Sequence, residues 1–308
     1  MNELKSILAI VPTGDLSSSQ SENTRRFVEN AINICKWLQC SVHFVTHGHN
    51  SETVRSVIHE CGLETSDEKM ELIIQSAGQS AGQSEGQTAI KAIFDQVTEA
   101  IEKYSCDLAI LEDGSSLDPR HESEERNVLE ASLIPILLIP RGFDFAVSAR
   151  HSFLVPLSGE KRLNQALITS MNLAKQTASS VDLLHVTTPD HPCACNQNLD
   201  SIGDQLHHEL QNMTDKITSE SNPFATPEEQ SRVRHFYHSS GFTSKEIIET
   251  LKKSENAILV LEWNGSLALG HAETIKDLLR YVRNPILFVR TAHEHKSRLK
   301  IGKDIRAA

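Results

Sequence analysis

Short, continuous runs of isoleucine, valine and leucine recur along this chain in one order, twice. Ile7–Gly14 reads ILAIVPTG and Phe153–Gly159 reads FLVPLSG. Val42–Thr46 (VHFVT) answers Val181–Thr187 (VDLLHVT), and Asp107–Asp113 (DLAILED) answers Ala257–Trp263 (AILVLEW). Ile134–Arg141 (IPILLIPR) answers Asn284–Arg290 (NPILFVR). Glu112 and Glu262, and Pro135 and Pro285, stand at one common offset. Runs of this kind are what strands buried on both faces of a parallel sheet look like. Met70–Gln75 and Val233–His238 add a further strand to each half, giving about five per half.

Helical spacing separates the runs. Phe27, Ala31, Ile34 and Leu38 follow the first strand, and Leu163, Leu167, Met171 and Ala174 hold the same place in the second half. Ile90, Ile93, Phe94, Val97 and Ile101 form a stripe answered by Ile247, Ile248 and Leu251. Strand alternating with helix implies right-handed crossovers and helices on both sheet faces. The pattern predicts an α/β chain of two tandem doubly wound domains, residues 1–143 and 144–308, each with a five-stranded, mostly parallel sheet. Arg141–Arg150 is the expected linker. Ala77–Thr88, three polar tetrads, reads as a surface loop. Thr187–Ser231 is a polar insertion in which Ile202, Leu206, Leu210, Met213 and Ile217 keep helical spacing.

Composition narrows the function classes. A 308-residue chain of net charge −11 repels a phosphate backbone, so nucleic acid is not an expected partner. Six cysteines spread over that length are no disulfide framework and suit a reducing compartment. Met1–Leu8 carries no signal-peptide pattern and no run is long enough for a membrane span, so the expected address is the cytoplasm.

The turns Val11-Pro12-Thr13-Gly14 and Val155-Pro156-Leu157-Ser158-Gly159, the strand end Leu183-Leu184-His185-Val186, and the steps Pro135-Ile136 and Pro285-Ile286 together resemble the universal stress protein family. Over nearly the whole chain the doubled order is similar to its tandem, E-type members. The resemblance implies the adenine-nucleotide alpha hydrolase-like fold, a stress-response role, and pairing of the two halves through their last strands. It implies a ligand cleft beyond the carboxyl ends of the strands, with Pro156, Leu157, Ser158, Val186, Glu262, Gly265 and Thr274 as the binding positions.

The family's phosphate site uses a Gly-x-x-Gly loop followed by Gly-Ser at a helix start, where backbone N–H groups meet phosphate oxygens. Here the second half reads Glu262-Trp263-Asn264-Gly265 and the first Glu112-Asp113-Gly114-Ser115, and Ala272-Glu273-Thr274 stands where Gly-Ser would be. A carboxylate against a phosphate repels by about 1 kcal/mol in water and by more in a cleft. Alternatively, Glu112 and Glu262 point into solvent from the loop starts. The expectation is a protein that binds a small molecule or a protein partner, with no catalytic residues, degenerate ATP-binding loops and the option of homodimers. Two other readings stay open. One is an ATP-binding, weakly hydrolysing switch. The other is a metal protein, with zinc held by His191, Cys193 and Cys195 and by further histidines such as His235 and His238. Gly241-Phe242-Thr243-Ser244 reads as a helix start capped by Thr243 or Ser244. The basic tail from Lys296 to Arg306 reads as solvated.

Overall fold

The computed structural model describes residues 4–11, 18–47, 51–61, 70–75, 97–113, 128–130, 132, 134–157, 165–187, 232–254, 256–265, 267 and 273–290. The strands are β1 (Ser6–Ile10), β2 (Ser41–His47), β3 (Met70–Gln75), β4 (Leu108–Asp113), β5 (Ile136–Pro140), β6 (Ser152–Leu157), β7 (Ser180–Thr187), β8 (Val233–Ser240), β9 (Ala257–Trp263) and β10 (Ile286–Arg290). They join in one ten-stranded sheet, β3-β2-β1-β4-β5-β10-β9-β6-β7-β8. Every recurring apolar run is a strand, and each half has the same order. Neighbours within a half are parallel.

The halves meet at an antiparallel seam. Ile286 faces Leu138, Leu287 faces Leu137 and Phe288 faces Ile136 across β5 and β10. All six side chains are at most 3% exposed. Burying one such side chain is worth about 1.5–3 kcal/mol, so a strand that would be an aggregation-prone edge in an isolated half becomes core.

Alternation along the strands splits the core into two layers. Ile7, Phe44, Ile110, Leu137, Leu287, Val260, Val155 and Leu183 face one side, under α1 (Ser18–Leu38), α2 (Ser51–Glu60) and α3 (Gln165–Thr177). Leu8, Val45, Leu111, Leu138, Phe288, Leu259 and Leu184 face the other, under helical residues 97–104, α4 (Thr243–Leu251) and α5 (Glu273–Tyr281). Helices on both faces follow from strands that are apolar on both. Among the described residues no helix is long and apolar enough to cross a membrane.

Two joints beside the seam tie the halves on the first layer. The Gln176 amide, on α3, takes the Leu4 N–H at 3.0 Å and donates to the carbonyls of Leu4 at 2.9 Å and Leu38 at 2.6 Å. Asn30, on α1, donates to the Phe143 carbonyl at 2.8 Å and accepts the Phe145 N–H at 2.7 Å. Phe145 is buried, with its ring 5.3 Å from Trp37 and 4.1 Å from His151. The expected linker is thus a packed strap laid on α1.

α1, the 97–104 helix and α3 end alike. Gln39, Ser105 and Ala178 take positive φ of 55°, 50° and 52°. The next N–H reaches back five residues: Cys40 to Cys35, Cys106 to Ile101, Ser179 to Ala174, at 3.2, 3.1 and 3.0 Å. This closes the helix and turns the chain toward the next strand. The start of α4 differs from expectation. Its N-cap is Phe242, with no side-chain cap bond, and Thr243 is already helical. Ser244 is engaged elsewhere, donating to Asp277 at 3.1 Å, so neither hydroxyl caps. The polar insertion, the tetrads and the basic tail lie outside the described residues.

Candidate functional site

The carboxyl ends of β6, β7 and β9, where strand order reverses in the second half, are where a ligand of this fold would sit. Pro156 and Leu157 end β6, both half-buried, in register with Leu184 and His185 of β7. Val186 is half-buried and packs on the second core layer. Ser158 lies outside the described residues, as do His191, Cys193 and Cys195. Among the described residues no three His, Cys, Asp or Glu side chains are grouped to hold a metal ion. Thr274 is exposed in the first turn of α5, beside Glu273, which pairs with Lys276 at 2.8 Å.

Glu262 and Glu112 are not loop residues. β9 runs on through Glu262 and Trp263 because β10 keeps pairing with them, Val289 to Glu262 and Arg290 to Trp263. β4 likewise carries Glu112 opposite Ile139 of β5. Glu112 does not point into solvent: it is 5% exposed, with Arg141 Nε 3.5 Å from its Oε2. A buried carboxylate needs a partner of this kind, because desolvation alone costs several kcal/mol. Glu262 is half-buried.

Gly265 holds the expected glycine geometry, with φ of 89°. What lies against it is a cation. A Cβ at Gly265 would fall on the guanidinium of Arg290, the last residue of β10. Arg290 donates from Nε to the Ser132 carbonyl at 2.9 Å, from Nη1 to the Asn264 carbonyl at 3.3 Å, and from Nη2 to the Glu130 carbonyl. Its Cζ lies 5.6 Å from the centroid of the Trp263 ring. Glu130 also accepts the Leu267 N–H at 2.9 Å. The loop after β9 is thus fastened to the segment preceding β5 in the other half, with an arginine side chain against the glycine. An N–H-lined loop attracts anions. Here the loop's Asn264 carbonyl is turned to the guanidinium and its Leu267 N–H is taken by the Glu130 carboxylate, so both groups are already engaged.

Sequence reasoning passed over both arginines, although each closes its half's last apolar run, IPR in one and FVR in the other. It also passed over a histidine pair. His185, two residues before the end of β7, lies opposite His238 on β8, with the rings stacked and their centroids 5.7 Å apart. The His185 pKa lies below the ordinary histidine value, through burial first and the neighbouring His238 second; a hydrogen bond to the Leu157 backbone opposes both. On the other face of β8, Asp182 is buried and binds His235 at 3.0 Å and Arg234 at 3.2 Å, pinning the outer strand.

No protein-family model and no curated protein matches the chain. Solved structures do. A Pseudomonas aeruginosa UCBPP-PA14 protein bearing the universal stress protein name aligns over 93% of this chain and 93% of its own, at 10% identity and TM-score 0.55. A universal stress protein from Archaeoglobus fulgidus DSM 4304 aligns over 92% of this chain and 96% of its own, at 15% identity and TM-score 0.55. The cytoplasmic domain of a prokaryotic cation chloride cotransporter aligns over 92% and 95%, at 8% identity and TM-score 0.52. The likeness is one of fold, and it spans both halves of the sheet. The chain has the universal stress protein fold, built as two tandem copies.

Proposed function

We propose that this chain is a tandem universal stress protein of the cytoplasm, a stress-response protein that binds a small ligand or a protein partner, whose phosphate loops do not take ATP. Residues 1–143 form a domain whose site is mainly structural, and residues 144–308 form the domain with the ligand cleft. The observation that carries the reading is Arg290 against Gly265, bonded to three backbone carbonyls. To seat a phosphate there, the loop would have to release the guanidinium and re-aim its peptide groups, and Glu262 would still stand on the adjoining strand. In the first half the corresponding carboxylate, Glu112, is buried with Arg141.

Calorimetric titration of the intact chain with magnesium ATP tests this. The expected dissociation constant is weaker than about 10 μM, or roughly −7 kcal/mol. Tighter binding by the wild type overturns the reading. Glu262→Gly separates the two obstacles. A gain in affinity assigns the barrier to the carboxylate, and no gain assigns it to the arginine and the loop it holds.

A further inference from the structure

We propose that Cys35 and Cys40 are a reversible disulfide site, a redox-sensitive clip across the end of α1. The last turn of α1 closes through Gln39 at φ 55°, with the Gln39 N–H on the Lys36 carbonyl at 3.4 Å and the Cys40 N–H on the Cys35 carbonyl at 3.2 Å. In a helix end of this form the two residues joined by the longer bond also meet through their side chains. The 97–104 helix and α3 place Ile101 with Cys106 and Ala174 with Ser179 at those positions. α1 places two thiols there.

The backbone bond fixes the spacing. A Cα lies about 1.5 Å from its own nitrogen and about 2.4 Å from its own carbonyl oxygen, so the two Cα atoms stand at most about 7 Å apart. The bends at the nitrogen and the oxygen shorten that path into the roughly 4.4–6.8 Å of a disulfide. The side chains cross over the same turn. The Cys35 thiol donates to the Cys40 carbonyl, and the Cys40 thiol donates to the Cys35 carbonyl at 3.9 Å. Cys35 is half-buried and Cys40 is buried, so an oxidant meets Cys35 first. The turn also carries Leu38, whose carbonyl accepts the Gln176 amide of the other half, so the clip stiffens the support of that joint.

The oxidant is a low-molecular-weight disulfide, RSSR. The Cys35 thiolate attacks one of its sulfurs, breaks the RS–SR bond and releases RS⁻. Cys40 gives its proton to that RS⁻ and attacks the Cys35 sulfur of the mixed disulfide. The Cys35–Cys40 bond forms and a second RS⁻ leaves, taking from solvent the proton that Cys35 gave up. Two cysteine thiols are oxidised, and one RSSR is reduced to two RSH.

The test treats the reduced, full-length protein with oxidised glutathione at mildly alkaline pH, blocks remaining thiols with N-ethylmaleimide in urea, and maps tryptic peptides without reduction. Lys36 lies between the two cysteines, so cleavage separates Phe27–Lys36 from Trp37–Arg55 unless a disulfide joins them. The joined pair is expected in the wild type, lost on reduction, kept in Cys61→Ser and absent in Cys35→Ser. The oxidised wild type should melt about 2–4 °C above the reduced form, and Cys35→Ser should show no such difference. Should Cys35→Ser fail to fold, peptide maps of the wild type and Cys61→Ser carry the comparison. Three results overturn the proposal: maleimide on both Cys35 and Cys40 after oxidation, either of them joined to a different cysteine instead, or a linked form that melts no higher than the reduced one.

Discussion

Arg290 Nε donates to the Ser132 carbonyl at 2.9 Å, across 158 positions of sequence. The same guanidinium holds the Glu130 and Asn264 carbonyls, so one side chain fastens the end of one half's last strand to the segment before the other's. Arg290→Ala should lower stability by about 1.5–3 kcal/mol, the range for losing hydrogen bonds to a charged group. Arg290→Lys should recover only a fraction, since an ammonium lacks the planar fork. Urea midpoints read the loss.

Gly265→Ala should cost about 1–3 kcal/mol, from its positive φ and from the collision with Arg290. The collision disappears in the Arg290→Ala background and the φ strain does not. The double mutant should therefore lose less than the two single losses together. Strict additivity would mean that the two residues do not meet.

Gln176 is the peg on the opposite layer. Gln176→Ala leaves the Leu4 and Leu38 carbonyls without their amide donor and should cost about 1–3 kcal/mol. Gln176→Glu keeps the shape but turns a carboxylate toward both carbonyls, so it should be the worse of the two. Melting temperatures of the pair decide the order.

At the seam, Leu287→Lys buries an ammonium opposite Leu137 and should destabilise by more than about 3 kcal/mol. Loss of packing within one half would mimic this. Hydrogen exchange on the unmutated chain separates the two: the backbone amides of the β5–β10 ladder should belong to the slowest class, whereas exchange at loop rates would exclude the pairing.

The positive φ of Ala178 at the end of α3 predicts a gain rather than a loss. Ala178→Gly relieves the crowding of Cβ in the left-handed region and should stabilise by about 1 kcal/mol, less what the freer unfolded chain takes back. A lower urea midpoint would show that the methyl group contributes contacts worth more than the strain.

Glu60 gives a pH dependence. Its carboxyl lies below the ordinary value of 4.5, through the Ser56 hydroxyl first and then the Arg25 guanidinium. A folded pKa below the unfolded one means that the unfolded chain binds the proton more readily. The contribution is full above the unfolded value and is lost as pH falls through the folded one. Glu60→Gln should flatten the acid limb of stability between those two values. The pair is exposed, so the effect should be small and fade with salt.

The strands were legible because their apolar runs are continuous and repeated. Ile7, Leu108, Leu137 and Leu287 are all buried where the alternation puts them. The seam was legible too, since two uncharged final runs with no cover in sequence must find one. Less could be read of the site. Glu112 and Glu262 look like loop residues because each is a carboxylate closing an apolar run, yet cross-strand pairing with Ile139 and Val289 keeps both in the sheet. Pairing is a long-range fact that local pattern does not carry. Arg290 and Gln176 are equally silent: each is an ordinary polar residue in sequence, and its role comes from carbonyls more than a hundred positions away. His185 stood inside a quoted motif, but its partner His238 is set by the register of β8.

The antiparallel seam has a consequence for how such a chain can change over time. When two separate copies meet through a shared strand, every substitution is made in both at once, and a change that suits one copy must be tolerated by the other. Covalent fusion removes that constraint. Trp263 beside Arg290 stands where the first half has Asp113 beside Pro140, and a symmetric pair could not hold both. The link also makes the encounter intramolecular, so the joint survives dilution that would drive unlinked domains apart. Each half is then free to drift toward its own task while the other keeps it folded.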